Sequence, residues 1–272
     1  MRTPDSIRRH YEVEKALADR LRASTSREER ARIYATMYDE LFAAVPDHPR
    51  LTGVKDPAHV ARQNQSRLDL VRHYLRPGAR VLDIGAGDCT FSRELAARAR
   101  AVYALEISAD SVAVDDTPAN MTLVIYDGFN LPFAPGSLDL AFSDQLVEHL
   151  HVEDQQLHFR SVATALAPGG AYVFRTPHRF TGPHDVSKYF TAGEPEGFHM
   201  KEWTYRELRD ELRRAGFARV DAIWSARGRS ARVPLGLLTW CEAVLQPLPV
   251  SLRRSLARFP FPSIVVAACT EA

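Results

Sequence analysis

The chain has 272 residues, a length that suits one α/β domain with an extension better than two small domains. Apolar residues make up 45% and charged residues 25%, which fits a packed globular protein and excludes a disordered chain. The formal charge is +1, and the local basic clusters (Arg213, Arg214, Arg219; Arg253, Arg254, Arg258) read most simply as solvated helix faces, so neither nucleic acid nor a membrane surface is expected as a partner.

The cysteines, Cys89, Cys241 and Cys269, lie far apart and lack ligand-type spacing. They predict a reduced, cytoplasmic protein with no disulfide framework and no metal site. The opening stretch "MRTPDSIRRHYEVEKALADR" is charged throughout and is not expected to act as a signal peptide. No apolar run approaches the ~20 residues that span a bilayer.

Residues 5–76 read as a helical extension. Ser26 and Glu29 have capping-box spacing ahead of Ile33, Met37, Leu41 and Phe42, and this helix should end near Ala44. After the proline-rich "VPDHPRLTGVKDP", a second amphipathic run carries Val60, Leu68, Val71 and Leu75 and stops at Pro77-Gly78.

From Ala79 short apolar strands alternate with helical stretches, the pattern of βαβ units and a parallel sheet. Strands are expected at 80–85, 101–106, 121–126, 138–143 and 170–175, and helices at 89–99, 109–114, 154–166 and 204–215. Residues 217–226 and 263–270 supply two more strands, seven in all. Between those two, 227–262 is too long for a hairpin loop and reads as an insertion with its own helices. The fold class is thus a Rossmann-like, mostly parallel sheet with helices on both faces. The expected division is a helical extension over 1–78 and a core over 79–272, with 227–262 as a helical insertion.

"VLDIGAGDCT" (81–90) has Gly-x-Gly after an apolar strand but no third glycine. Asp83 ends the strand, and Asp88 and Cys89 occupy the helix start, where a pyrophosphate would be repelled. Those carboxylates suit a ligand that is cationic and carries no phosphate. Glu106 ends the second strand about 20 residues further on, where an acid takes two ribose hydroxyls. Asp127-Gly128 ends the third strand, where a carboxylate can accept from an adenine amino group. Adenine, a free ribose and a cationic tail describe S-adenosylmethionine better than NAD.

At this point the sequence resembles the class I S-adenosylmethionine-dependent methyltransferases, nearest to the branch that includes the quinone-biosynthesis enzymes. The likeness covers about residues 79–217 and rests on "VLDIGAGDCTF", "VYALEIS", "VIYDGFNLPFAPGSLDLAFS", "QLVEHL" and "LAPGGAYVFRTPHR", in that order. It implies a seven-stranded sheet with one antiparallel edge strand, and a substrate lid formed by the extension over 1–78 and the insertion over 227–262. It also implies a cofactor site of Asp83, Gly85, Ala86, Gly87, Asp88, Cys89, Glu106, Ile107, Asp127 and Gly128, with Ser143, Asp144 and Gln145 below the sulfonium.

Methyl transfer is an in-line displacement in which alignment supplies much of the acceleration, and only a hydroxyl acceptor needs a base. No single base stands out. His149, His178 and His184 are the catalytic candidates, His184 with Asp185 as a possible orienting acid. Arg179, Tyr189, His199 and Trp203 are expected to line the substrate. The stripe Leu235, Leu237, Leu238, Trp240, Val244, Leu245 suggests a lipid-like substrate, a homodimer face or plain packing onto the sheet.

The expected function is methyl transfer from S-adenosylmethionine to an O or N nucleophile of a small-molecule acceptor. Two alternatives stand beside it. An NAD-dependent reductase is opposed by Asp83 and by the lack of a Tyr-x-x-x-Lys pair after the fourth strand. A non-catalytic scaffold has no need of acids at 83, 106 and 127 together. Nucleic-acid methylation is disfavoured because the fourth strand ends in "SDQL" and not in an Asn-Pro-Pro-Tyr-type turn.

Overall fold

A computed structural model describes residues 2–53, 56–108, 117–226 and 229–272. The helix expected over 109–114 lies outside the described residues. The extension folds as α1 (Pro4–Arg22), α2 (Arg27–Ala44), the short α3 (Pro49–Thr52) and α4 (Pro57–Val71). Ser26 caps α2 by accepting the Glu29 amide at 3.2 Å. The Glu29 carboxylate reaches back one residue beyond the cap, to the Thr25 amide at 3.0 Å.

The core runs β1 (Arg80–Ile84), α5 (Thr90–Ala96), β2 (Ala101–Glu106), β3 (Met121–Ile125), β4 (Leu138–Asp144), α6 (Gln155–Ala165) and β5 (Leu166–Thr176). It continues with α7 (Tyr205–Arg214), β6 (Arg219–Ala226), β7 (Arg229–Val233), α8 (Leu235–Leu245), α9 (Val250–Ala257) and β8 (Ile264–Cys269). The strands form one sheet in the order β3-β2-β1-β4-β5-β8-β6-β7.

Among the described residues the sheet has eight strands where seven were expected. β7 lies inside the expected insertion and pairs with β6 as an antiparallel hairpin, from Ala222↔Val233 to Ala226↔Arg229. "RSARV" shows no apolar alternation because β7 is an edge held by polar contacts. Ser230 Oγ donates to the Asp69 carbonyl at 3.2 Å, Arg72 Nη2 donates to the Ser230 carbonyl at 3.2 Å, and Arg232 covers the Tyr74 ring. The antiparallel strand of the expected seven is also not at an edge: β8 runs between β5 and β6, antiparallel to both.

Val81-Leu82 of β1 and Ala171–Phe174 of β5 run apolar without alternation because both faces of the sheet are covered. Leu82, Ile84, Tyr172 and Phe174 pack beneath α6 and α7 with Phe159 and Trp203. Val81, Phe142 and Val173 point the other way, onto Phe91 of α5 and Leu68 of α4. A third cluster joins Leu17, Leu21, Met37 and Leu41 of α1 and α2 to Phe129 and Phe198, with Ile107 packed against it. The helical extension therefore roofs the carboxyl ends of β2 and β3.

Polar contacts pin this roof to the loop after β4. Arg30 Nε and Nη2 grip Asp154 at 2.5 and 2.9 Å, and Tyr34 Oη accepts from the His151 amide at 2.8 Å. Arg22 donates to the carbonyls of Glu196 and Gly197 at 3.0 and 2.8 Å, and Glu14 accepts the Phe198 amide at 3.0 Å.

Helices α8 and α9 do form as expected, but only half of the apolar stripe packs onto the core: Leu238, with Leu235 and Leu245 against it, while Leu237, Trp240 and Val244 face outward. On α8 only Leu238, Thr239 and Glu242 are buried, while Leu237 and Trp240 are 52% and 62% exposed. Glu242 explains how the helix is fastened: its carboxylate accepts from the Tyr205 and Arg206 amides at the start of α7 and from His178. A helix start leaves such amides unpaired, and an acid from a neighbouring helix satisfies them.

Candidate cofactor and acceptor site

The chain turns from β1 to β2 and β3 on one side and returns to β4 and β5 on the other. The crevice at that reversal is where open α/β sheets bind ligands. The Gly85–Cys89 loop lies there. Gly85 has φ +71°, and a side chain at this position would meet Leu146 Cδ1 at 3.2 Å. Gly87 and Cys89 are also left-handed, with φ +60° and +58°.

The Gly87 amide donates to Glu106 Oε1, and the Ile107 amide to Oε2 at 3.2 Å. The ends of β1 and β2 are thereby locked around one carboxylate. Burial pushes Glu106 up, against the pull of those two amides. Asp83 is buried, takes the Ser92 hydroxyl at 2.6 Å, and is pushed up to about 6 by burial.

Asp127 Oδ1 accepts the Phe129 and Asn130 amides at 2.9 and 2.8 Å. Burial raises its pKa, but these amides outweigh burial and hold it low. Gly128, with φ +88°, brings its backbone near Ile107 under the roof. Asp83, Gly85 to Gly87, Glu106, Ile107, Asp127 and Gly128 are thus neighbours at adjoining strand ends.

The remaining expected cofactor residues are turned elsewhere by their side chains. Asp88 Oδ1 caps α5 by accepting the Thr90 amide and hydroxyl at 3.1 and 2.9 Å. Cys89 is buried, and burial pushes its thiol up to about 11, which keeps it protonated. Ser143 Oγ shares a hydrogen bond with Tyr172 Oη at 2.7 Å inside the sheet. Asp144 is clamped by Arg175 at 2.7 and 2.6 Å and by Arg67 at 2.8 Å. Only the backbone of Ser143 and Asp144 is left to form a floor. Gln145 is exposed, with φ +58°.

The histidines divide sharply. His178 is fully buried and lies flat on Phe261 at 4.2 Å; its Nε2 bonds Glu242 at 2.9 Å and its Nδ1 accepts the Phe180 amide at 3.1 Å. Both nitrogens are engaged within the fold, and the side chain ties the end of β5 to α8. Trp203 is likewise 1% exposed and packs in the main core. Arg179 pairs with Glu207 at 2.9 Å, and Tyr189 is 61% exposed beside Lys188. Asp185 does not orient His184; it caps the turn at Ser187 and accepts the Gly197 amide at 2.8 Å. Glu202 takes that part, accepting from the His184 amide and Nδ1 at 2.7 and 3.0 Å.

His149 and His199 come together edge to face at 4.9 Å. His149 Nδ1 bonds the Phe198 carbonyl at 3.0 Å, and His199 Nδ1 bonds Glu202 Oε1 at 2.9 Å. Burial, His199 and Arg50 hold His149 well below its ordinary value. Burial lowers His199 too, but Glu202 and Glu148 outweigh it and the net shift is upward. Burial likewise works against Glu202, yet its two histidine partners hold it down at about 2.

Glu148 completes the corner. It is fully buried, its Oε2 accepts the Thr176 hydroxyl at 2.9 Å, and burial pushes it up to about 7. Sequence reading named His149 within "EHL" and passed over the glutamate beside it, and Glu202, whose spacing of three from His199 could have been noticed. Arg50 was also missed. It is exposed on α3, and its charge lowers both Glu106 and His149.

Comparison with known proteins agrees with this geometry. Residues 58–222 match the methyltransferase domain family. The chain is 32% identical over 119 residues to the demethylmenaquinone methyltransferase of Corynebacterium efficiens, covering 43% of this chain and 48% of that one. It is 29% identical over 158 residues to the ubiquinone biosynthesis O-methyltransferase of Xanthomonas campestris, covering 54% and 64%. The chain therefore spans about half the length of the first relative and under two thirds of the second. In fold it is similar to phosphoethanolamine N-methyltransferase 2 of Haemonchus contortus, solved with phosphomonomethylethanolamine and S-adenosylhomocysteine. That likeness has TM-score 0.58 and 17% identity, and covers 92% of this chain and 61% of that one.

The fold and the strand-end acids define a Rossmann-like adenosyl-binding protein. The chain belongs to the class I S-adenosylmethionine-dependent methyltransferases, an enzyme family whose methyl donor is S-adenosylmethionine. The reductase alternative falls with that membership. The residues present suit this cofactor: Glu106 offers a held carboxylate for a ribose, Asp83 an acid for a cation, and left-handed Gly85 and Gly87 a backbone free to approach it. Among the described residues, no helix is long and apolar enough to cross a membrane.

Proposed function

We propose that this chain transfers the methyl group of S-adenosylmethionine to an oxygen or nitrogen nucleophile of a small-molecule acceptor, in the cytoplasm. One observation carries the reading: Glu106 is held by the amides of both the β1 loop and the β2 end, beside buried Asp83 and under the α1–α2 roof. In its bound state the cofactor supplies an already activated methyl on a sulfonium. The protein's part is to align and desolvate, and well-oriented reactants account for roughly 7–11 kcal/mol of barrier.

In this reading Glu106 takes the ribose hydroxyls, Asp83 faces the methionine ammonium, and Ile107, Gly128 and Asp127 flank the adenine. The roof excludes water. The acceptor's nucleophile lies at the corner of Glu148, His149 and His199. His149 faces that corner with Nε2, which keeps a lone pair to offer because Nδ1 donates to a carbonyl. His184 acts at one remove, by orienting Glu202. The quinone-biosynthesis relatives support a small, ring-containing acceptor. The exposed side chains of Leu237, Trp240 and Phe259 support self-association, and sedimentation over a wide concentration range tests it.

The test is calorimetric titration with S-adenosylhomocysteine, with NADH in parallel, on the wild type and on Glu106→Ala. Micromolar binding of the first ligand alone is expected. Removing the acid should weaken it about tenfold to a hundredfold, as for a charged hydrogen-bond acceptor worth roughly 1.5–3 kcal/mol. Unchanged affinity in Glu106→Ala refutes the placement. Tight binding without turnover across an acceptor screen with labelled methyl donor favours the non-catalytic scaffold.

A further inference from the structure

We propose that Glu148, His149 and His199 bind one divalent metal ion of the zinc or transition-metal class. One donor atom from each of the three lies within 4.8 Å of the other two. Ligands of a tetrahedral zinc sit about 2.0–2.2 Å from the metal, so side-chain movements below about one ångström would gather them round an ion.

The surroundings are those of a ligand set. A metal-binding imidazole gives one nitrogen to the ion and donates the other N–H to an acceptor that fixes the ring. His149 donates from Nδ1 to the Phe198 carbonyl at 3.0 Å, and His199 from Nδ1 to the Glu202 carboxylate at 2.9 Å. In each ring Nε2 is the nitrogen left with a lone pair to offer. Glu202 is fixed in turn by the His184 amide and ring.

Glu148 supplies the independent observation. The residue is fully buried, Thr176 satisfies Oε2, and among the described residues Oε1 has no hydrogen-bond partner. A buried carboxylate oxygen without a partner is costly, and a cation bound beside it removes that cost. The backbone is braced as well: Glu148 O accepts the Met200 amide at 2.7 Å, and Arg22 and Glu14 hold the 196–199 segment from the roof. The three donors are therefore fixed on two neighbouring, cross-linked segments.

Two imidazoles and one carboxylate favour zinc, manganese, iron or cobalt over magnesium or calcium, which prefer an all-oxygen shell. Three protein ligands leave at least one position open. Resting on the methyl-transfer reading, this selects acceptors that carry a hydroxyl, because a cation lowers the pKa of an oxygen acid that meets it.

The test uses the full chain without an affinity tag, stripped with chelator, and the metal alone as probe. Titration with Zn2+, Mn2+ and Mg2+ is read by calorimetry and by elemental analysis after dialysis. One zinc per chain is expected, bound far tighter than magnesium. The isosteric Glu148→Gln, and His199→Ala, should weaken zinc at least about tenfold, Glu202→Gln about 10–100-fold, and His59→Ala, on the exposed face of α4, not at all. Co2+ gives a second readout, a visible spectrum of low coordination number that Glu148→Gln alters. Failure to bind zinc stoichiometrically, or equal affinity in Glu148→Gln and wild type, overturns the proposal. S-adenosylhomocysteine binding measured on the same samples reports separately on the methyl-transfer reading.

Discussion

The grip of Arg30 on Asp154 is the strongest polar tie between roof and core, and it allows a quantitative prediction. The two side chains are 3% and 5% exposed, and Arg30 makes two of its contacts at 2.5 and 2.9 Å. Arg30→Met keeps the apolar stem but leaves a buried carboxylate with only half-exposed Arg27, at 3.1 Å, to answer it. Removing one partner of a buried pair costs about 3–5 kcal/mol, and the surviving Arg27 contact puts the expected loss at the lower end, about 3 kcal/mol. For 272 residues the unfolding entropy is on the order of 0.6 kcal/mol per degree, so Tm should fall by about 5 °C.

Calorimetry or circular dichroism on the pure protein reads this directly. The control is Arg30→Met with Asp154→Leu, which removes both charges together. Asp154 stands at the N-cap of α6 but makes no side-chain cap bond, so its loss costs the helix nothing there. The double variant should regain most of the lost stability, because no uncompensated charge remains. A Tm change under about 1 °C in the single variant, or a double variant no better than the single, would refute the reasoning.

Asp83→Asn should split binding from stability. Wild-type Asp83 titrates near 6 in the fold, above its ordinary value near 3.9. Affinity for S-adenosylhomocysteine, whose ammonium needs the ionised acid, should rise from pH 5 to 7 and level off; the asparagine variant should be weaker and flat. Because the folded pKa is raised, wild-type stability is greatest below the unfolded pKa and is lost as pH rises through about 6, so the asparagine variant should be the more stable at pH 8 by on the order of 2–3 kcal/mol. A wild-type affinity that ignores pH, or a less stable Asp83→Asn at pH 8, counts against this account. His178→Phe should cost about 1–3 kcal/mol through the lost Glu242 bond and leave kcat within about twofold. A hundredfold drop in kcat with normal stability would return His178 to the chemistry.

Much of this protein was legible in the chain order of its residues. Strand positions followed from apolar runs, because a parallel sheet covered on both faces leaves no alternation to confuse the reading. Glu106 was placed at its strand end by spacing, since a βαβ unit fixes how far apart successive strand ends fall, and Asp127 by the apolar run that precedes it. Ser26 and Thr204 announced the starts of α2 and α7, both of which begin with side-chain caps.

What tertiary structure decided was the partner of each polar side chain. His178 and His149 look alike in sequence, each a histidine just past a strand. One faces Glu242, 64 residues away, and is spent on holding α8; the other faces His199, 50 residues away, and keeps a nitrogen free. β7 escaped notice because an edge strand draws its stability from pairing with β6 and from α4, not from a pattern of its own. The unpartnered oxygen of Glu148 could not be read either. A local sequence sets which groups a segment can offer, but whether a buried group is satisfied depends on distant segments folding against it.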